Sequence, residues 1–445
     1  MKFALFIFLF STCFLLPAKA LPQGTGISTA NTDTFMAEAF SIPDNSPDSG
    51  RIHILFRIRL DMLSFRRTEA SPIVGRGEFA AFPKVSIEIR DSVGIIRGRT
   101  EWSDSVFSQV TEADVLRGRW ISGTMECKTA AGRYTPHIVI SERNSGAINR
   151  VKLAAIGSPP NIFSESAVIF ARVAKGIARD RIEPVISNND APFESEGTSA
   201  VIAVNALNTE TYTYTLTPVN AGDWLSPATL TGTTETRYGV RLVRISSASA
   251  QFPPHRLQFE TITDEKSALV VLTIRLPENS IAPGQYRLTV SSSSGDTLSR
   301  LFRVKWENAP ASFGNVNYAI ELMRHILSDK EYGEIGESSN KRRAIIDYWR
   351  KLDPTPFTVY NEAMSEYFRR ADVAAVKFST LAERSGALSE RGKVYMLYGW
   401  PDYIEHPASG KGIREIWTYY KREKKHFIFE QNNAGIYRLI QIAEN

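Results

Sequence analysis

The chain has 445 residues, 43% hydrophobic and 23% charged. This is ordinary globular usage, which excludes a disordered, collagenous or coiled-coil protein and predicts roughly two to four domains. Its 53 Lys and Arg against 48 Asp and Glu leave a net charge of +5, too mild a balance to imply a nucleic-acid partner.

Residues 1–20 read as a signal peptide. Lys2 precedes an apolar run from Phe3 to Leu16, and Ala18-Lys19-Ala20 has the small-x-small form that signal peptidase cleaves, which makes Leu21 the expected mature start. The run is too short to span a bilayer, and no later stretch is apolar and long enough, so no transmembrane span is expected in the mature chain. Cys13 lacks the Leu-type residues that precede a lipidated cysteine. With the leader gone only Cys127 remains, a lone thiol expected to be quiescent on a strand. These features predict an exported protein.

Residues 21–50 hold four acids and no Lys or Arg, are rich in turn formers and read as a flexible lead-in. Residues 51–160 hold 17 Lys and Arg against 11 acids. Within them Ile52, Ile54, Phe56, Ile58 and Leu60 alternate with residues that include Arg57 and Arg59, and Val85, Ile87 and Ile89 alternate with Lys84, Glu88 and Arg90. Frequent turn signals then predict a basic antiparallel β-sandwich over 51–158. Its Arg-bearing faces are either the wet side of the sheets or a docking face for an anion such as a phosphate or an acidic glycan.

Residues 159–191, bounded by Pro159-Pro160 and Asn188-Asn189-Asp190, read as a linker. Seven candidate strands over 192–308 predict a second, immunoglobulin-like sandwich. From residue 309 the period becomes helical: one amphipathic helix over 316–330, a break over 331–340, a second helix over 341–352, and a third capped by Thr355 with Pro356 in its first turn and a stripe from Tyr360 to Phe378. Strands are expected again at 394–398, 415–420, 427–430 and 436–442. The fold class predicted is therefore two antiparallel β-sandwiches followed by a C-terminal α+β domain, 309–445, with a four-stranded antiparallel sheet.

Chemistry-bearing patterns are few. The six histidines are scattered, no metal set has usable spacing, and Glu321 with His325 reads as a helix-surface pair. There is no nucleophile elbow, phosphate loop or dinucleotide fingerprint, and Ser338 to Lys341 lacks the companions of an acyl-enzyme site, so no catalytic residue, metal or cofactor is expected.

One segment is more specific. Residues 386–402 read Gly-Ala-Leu-Ser-Glu-Arg-Gly-Lys-Val-Tyr-Met-Leu-Tyr-Gly-Trp-Pro-Asp, followed by Glu415-Ile416-Trp417 and the Phe-rich run Phe427-Ile428-Phe429. Together with Asp353-Pro354-Thr355-Pro356 and Asn361-Glu362 upstream, this resembles the GWxTD domain, a family of exported bacterial proteins. The resemblance implies a non-enzymatic binding or scaffolding module of the cell envelope, with an envelope protein or a glycan as partner. Three residues depart from the family pattern: Ala387 stands in place of Trp, Ser389 of Thr and Glu390 of Asp. The retained residues read as turn and cap architecture, or as an aromatic and acidic groove in which Arg391, Tyr398, Trp400, Asp402, Trp417 and Tyr419 are the binding candidates. The alternative function is an envelope hydrolase acting on glycan or peptide with a carboxylate pair drawn from Asp402, Glu405 and Glu415.

Overall fold

The structure is a computed structural model. It describes residues 27–444 except for 33, 45–47, 68–77, 110, 112–115, 117–118, 161–162, 174–180, 195–196, 206–209, 221–227, 238–239, 246–257, 264–268, 408–412 and 422–423. The expected signal peptide and Cys13 lie outside the described residues.

The protein is built mostly of antiparallel sheets, four of which follow one another in layers. The first joins Ile27–Asn31, Phe35–Pro43, Ser49–Arg59 and Trp120–Ala130. The second joins Ile148–Lys152, Gly132–Glu142, Pro83–Asp91 and Ile96–Ser103, with Ile156–Ser158 beside Gly132–Glu142. Ile52, Ile54 and Phe56 of the first sheet share a core with Val85, Ile87, Ile89 and Ile138 of the second. The alternation at 52–60 and 83–91 thus does mark strands, with their aliphatic faces turned toward each other.

The other face of the first sheet is not wet. Phe40, Ile42 and Leu55 pack on Ile169, Ala171, Val201, Ala203 and Val271 of a third, seven-stranded sheet. Arg57, expected on a solvated stripe, lies at this joint with both terminal guanidinium nitrogens 3.2–3.3 Å from the Glu307 carboxylate. The lead-in reading fails for the same reason: Ile27–Asn31 and Phe35–Pro43 supply two strands, and the latter is buried on both faces. The linker reading fails too. Val168–Val173 and Arg181–Pro184 are inner strands of the third sheet, and Ala191–Pro192 is a strand of the fourth.

The third sheet is covered on its second face as well. Phe170, Ala200, Ile202, Leu272 and Ile274 meet Leu216, Tyr286, Leu288 and Phe302 of the fourth, five-stranded sheet. Two-sided burial explains the unbroken apolar run Ala200–Val204 and the run Leu269–Leu272, in which alternation vanishes because neither face meets water.

The same core runs on without interruption into the C-terminal part. Six helices follow: α1 (Ala311–Gly314), α2 (Val316–Met323), α3 (Asp329–Glu337), α4 (Lys341–Arg350), α5 (Glu362–Lys377) and α6 (Glu390–Tyr398). They cover a four-stranded antiparallel sheet ordered Tyr403–Glu405, Arg414–Tyr419, Lys425–Gln431, Tyr437–Glu444. An unbroken packing path crosses the expected boundary at 308–309, because Trp306 lies 5.9 Å from the Phe193 ring and 5.5 Å from the Phe313 ring.

Three local expectations change. The segment 331–340 is largely α3, started by a capping box in which the Ser328 side chain accepts from the Glu331 backbone N–H and Glu331 reaches back to Ser328. Helix α5 begins at Glu362 rather than beside Thr355; its cap is Asn361, whose side chain accepts from the Met364 N–H at 2.8 Å. Residues 394–398 are the end of α6 and not a strand. A run as short as Val-Tyr-Met-Leu-Tyr suits a buried helix and a strand equally well, and the Ser389 cap decides between them.

Candidate functional site

The motif-bearing segment starts at a 3-10 turn, Gly386–Leu388, pressed onto the end of α5. A Cβ at Gly386 would meet the Ala374 carbonyl oxygen at 2.3 Å and the Phe378 backbone at 2.4 Å, so only glycine allows this approach. Gly392 is equally constrained, since a Cβ there would meet the Gly386 oxygen at 2.0 Å. Ala387 is fully buried, and its carbonyl accepts from His325 Nε2 at 3.1 Å. Burial holds that imidazole below its ordinary pKa, with the bond to Ala387 opposing the shift and the Lys393 charge adding to it.

Ser389 and Glu390 carry out the tasks open to a hydroxyl and a carboxylate. Ser389 Oγ accepts from the Gly392 N–H at 3.0 Å and donates to the Gly386 oxygen at 2.6 Å, which caps α6. Glu390 accepts from the Leu439 backbone N–H and pairs with Arg438, tying α6 to the last strand of the C-terminal sheet.

Most of the six binding candidates form cross-ties inside the domain. Arg391 pairs with Glu415 at 3.1 Å and lies over the Tyr437 ring at 3.7 Å, while Glu415 also accepts from Trp417 Nε1 at 3.1 Å. Trp417 is 1% exposed and Tyr419 4%. The Tyr419 hydroxyl donates to the Gly399 oxygen at 2.8 Å, and burial drives its pKa far above the usual phenol range. Tyr398 packs against Tyr419 and Phe427. Trp400 is half exposed, with Lys377 Nζ 4.1 Å from its ring centre. The expected aromatic groove is therefore largely filled by its own aromatic residues. Such residues serve a buried core as readily as a recognition surface, and sequence alone does not separate the two.

The three carboxylates do not converge. Asp402 accepts from the Tyr420 and Lys421 backbone N–H groups at 3.0 and 3.1 Å, and these bonds, with Lys421 Nζ at 3.4 Å, hold its carboxyl below the usual range. Tyr403 is level with Thr418. Asp402 therefore stands four residues along the strand from Glu415, about 13 Å at strand rise, where a catalytic pair needs roughly 5–10 Å. Glu405 is level with Ile416 and so points from the face opposite to Glu415. Cys127 sits half-buried on its strand with its thiol pKa raised by burial and by Glu126, as a quiescent thiol should.

A hollow lies elsewhere, at the junction of the fourth-sheet region with the helices. The segment 353–361 arches over it and is pinned by the Val359 N–H, which donates to the Glu278 carbonyl at 2.9 Å. The cleft holds about 350 Å³ and is lined by Asn279, Ile346, Arg350, Asp353, Phe357 and Met364 among others. Phe357 at its rim is 87% exposed. The sequence signal for this place is the Asp353-Pro354-Thr355-Pro356 and Asn361-Glu362 pattern, which carries part of the GWxTD resemblance and a helix start but does not point to a cleft. Among the described residues no helix is long and apolar enough to cross a membrane, and no three His, Cys, Asp or Glu side chains are grouped as metal ligands.

Residues 284–441 match the family model described as GWxTD domain. No curated protein matches the chain.

Proposed function

The chain belongs to the GWxTD-domain family through residues 284–441, and from that premise we propose that it is a non-enzymatic, exported envelope protein acting as a binding or scaffolding module. On this reading the protein is periplasmic or associated with the outer membrane, its paired sheets serve as immunoglobulin-like spacers, and its C-terminal region engages an envelope protein or a glycan.

The observation that carries the reading is the cleft beneath the 353–361 segment. Arg350 and Asp353 give it polar walls while Ile346, Met364 and the exposed Phe357 ring give it an apolar one. An exposed aromatic beside an Arg is a common anchor for peptide or sugar. The separation of Asp402, Glu405 and Glu415, each with its own place in the sheet, speaks for recognition rather than for carboxylate hydrolysis.

Proximity labelling in the native envelope tests this with the full chain and the surface variants Phe357→Ser and Arg350→Glu. Both variants are expected to fold and to lose the specific neighbours of the unaltered chain. Neighbours unchanged in both variants would reject the cleft. Turnover of cell-wall glycan or peptide by the purified chain, abolished by Asp402→Asn, would reject the non-enzymatic reading.

A further inference from the structure

Beyond the first sheet the layered sheets end on the outward face of the second sheet. Strand register identifies the side chains it presents. Val85, Ile87, Ile89 and Ile138 point into the core, so alternation turns Lys84, Arg90, Arg99, Arg133, Arg150 and Lys152 outward. Against these six cations the face carries two carboxylates. Glu101 pairs with Lys84, and Glu88 pairs with both Arg90 and Arg99. Arg150 and Lys152 have no ion pair among the described residues, and Arg133 donates only to the Ala155 carbonyl. At the centre His137 is held below its ordinary pKa by its burial and by the charges of Arg90 and Lys152, with Glu88 opposing them. The face is thus net positive and, among the described residues, uncovered.

One end of it also carries an apolar tip. The hairpin joining Pro83–Asp91 to Ile96–Ser103 leaves Val93 77%, Ile95 53% and Ile96 41% exposed. The tip is preformed: Asp91 Oδ1 accepts from the Val93 and Ile95 N–H groups at 3.1 and 2.9 Å, and Gly94 takes the left-handed conformation with φ 88°. Arg90 is opposite Ile96 in the ladder, and Arg97 follows it. Single exposed aliphatics are ordinary. Three within four residues, on a rigid turn ringed by arginines, are not.

We propose that this part of the protein docks on an anionic lipid surface, with Val93 and Ile95 entering the headgroup region and the cationic face lying on the headgroups. A soluble polyanion, acidic glycan included, would use the charges and leave the aliphatic tip in water. A lipid interface uses both, because apolar insertion and attraction to anionic headgroups add. The proposal extends the binding role suggested for the cleft, which lies in the C-terminal half of the chain, and does not depend on it.

The test is cosedimentation of the chain beginning at Leu21, so that the apolar leader adds nothing, with vesicles of phosphatidylglycerol and phosphatidylcholine and with vesicles of phosphatidylcholine alone. Binding is expected to the anionic vesicles and to weaken with salt. The paired variants Val93→Ser with Ile95→Ser, and Arg150→Gln with Lys152→Gln, are each expected to lower it about 10-fold or more. Both pairs are at exposed positions, and an unchanged unfolding temperature confirms that each variant is folded. The proposal is overturned if the unaltered chain fails to bind anionic vesicles, if it binds neutral vesicles as well, or if neither paired variant weakens binding. Retention on immobilised heparin without vesicle binding would overturn it in favour of a soluble polyanion.

Discussion

The third sheet is covered on both faces, and the two covers differ in kind. Toward the first sheet the joint is made of small and aliphatic side chains with the single ring of Phe40, around one buried carboxylate, Glu38, whose Oε1 accepts from the Ser187 and Asn189 N–H groups at 2.8 and 3.0 Å. Toward the fourth sheet and the helices the contact is apolar, and aromatic rings carry it onward: Phe193, Trp306, Phe313 and Phe368 form a chain of ring contacts 5.3–5.9 Å apart. The first joint therefore contains a buried titratable group. The second is set by shape and burial, and pH has little hold on it.

The sharpest way to break this comparison is to cut the aromatic chain. Phe313 is buried between Trp306 and Phe368, with the Arg342 guanidinium 5.1 Å from its ring. Phe313→Ala is expected to cost about 3–5 kcal/mol. Because the core is continuous, calorimetry is expected to show the third and fourth sheets and the helices losing stability in one transition. A separate early transition confined to the helices would show that the two parts are energetically independent.

The next effect belongs to Glu38. Burial raises its pKa from 4.5 to about 7, against the lowering effects of the Asn189, Ser187 and Asn188 amides and of Arg57. Between those values the folded chain keeps a proton that the unfolded chain gives up, so stability falls as pH rises from 4.5 to 7, by about 3 kcal/mol. In Glu38→Gln the side-chain carbonyl still accepts both N–H groups. Urea unfolding is expected to show this part of the pH dependence gone, with the variant more stable than the unaltered chain at pH 7 and similar to it at pH 4.5. An unaltered slope between these pH values would mean that Glu38 is solvated.

The smallest expected effect is at the edge of the same joint. Arg57 and Glu307 form a forked pair about one-fifth exposed, and Arg57 also lies over the Trp120 ring at 4.8 Å. Arg57→Ala is expected to lower stability by about 1 kcal/mol at low salt and by less at high salt, measured by urea unfolding. A much larger loss would make this pair a main tie between the first sheet and the segment that leaves the fourth sheet toward the helices.

Much of this architecture was legible in the chain. Alternation at 83–91 marked a strand because a sheet with one buried face repeats its apolar residues every second position, and the alternation at 52–60 also marked a strand, although its second face is covered by another layer. Departures came where strands are buried twice. Phe35–Pro43 and Val168–Val173 lie between two layers, and their surroundings of acids, prolines and asparagines looked like loop. The Asn188 and Asn189 positions, both in the left-handed region with φ 61° and 59°, illustrate the point. They do form a turn, but a turn whose amides hold Glu38 in place. In the C-terminal region the residues of the Gly-Ala-Leu-Ser-Glu-Arg-Gly segment were identifiable as distinctive; the cap of α6 is local, while the pairing of Arg391 with Glu415 and of Glu390 with Leu439 depends on partners 24 and 49 positions away.

The sequence by itself determined which segments alternate, that helices precede the last strands, and that the segment 386–402 with its flanks resembles the GWxTD domain, which the family match over residues 284–441 bears out. These are local matters of side-chain period, turn chemistry and motif. Tertiary structure alone decided that the Arg57 side chain is enclosed while the Arg90 face stays open, that Trp417 fills a core instead of lining a groove, and that a cleft lies under residues 353–361. An amphipathic strand states that one face will be buried. It does not state what will cover the other, since that choice is made by layers distant in sequence.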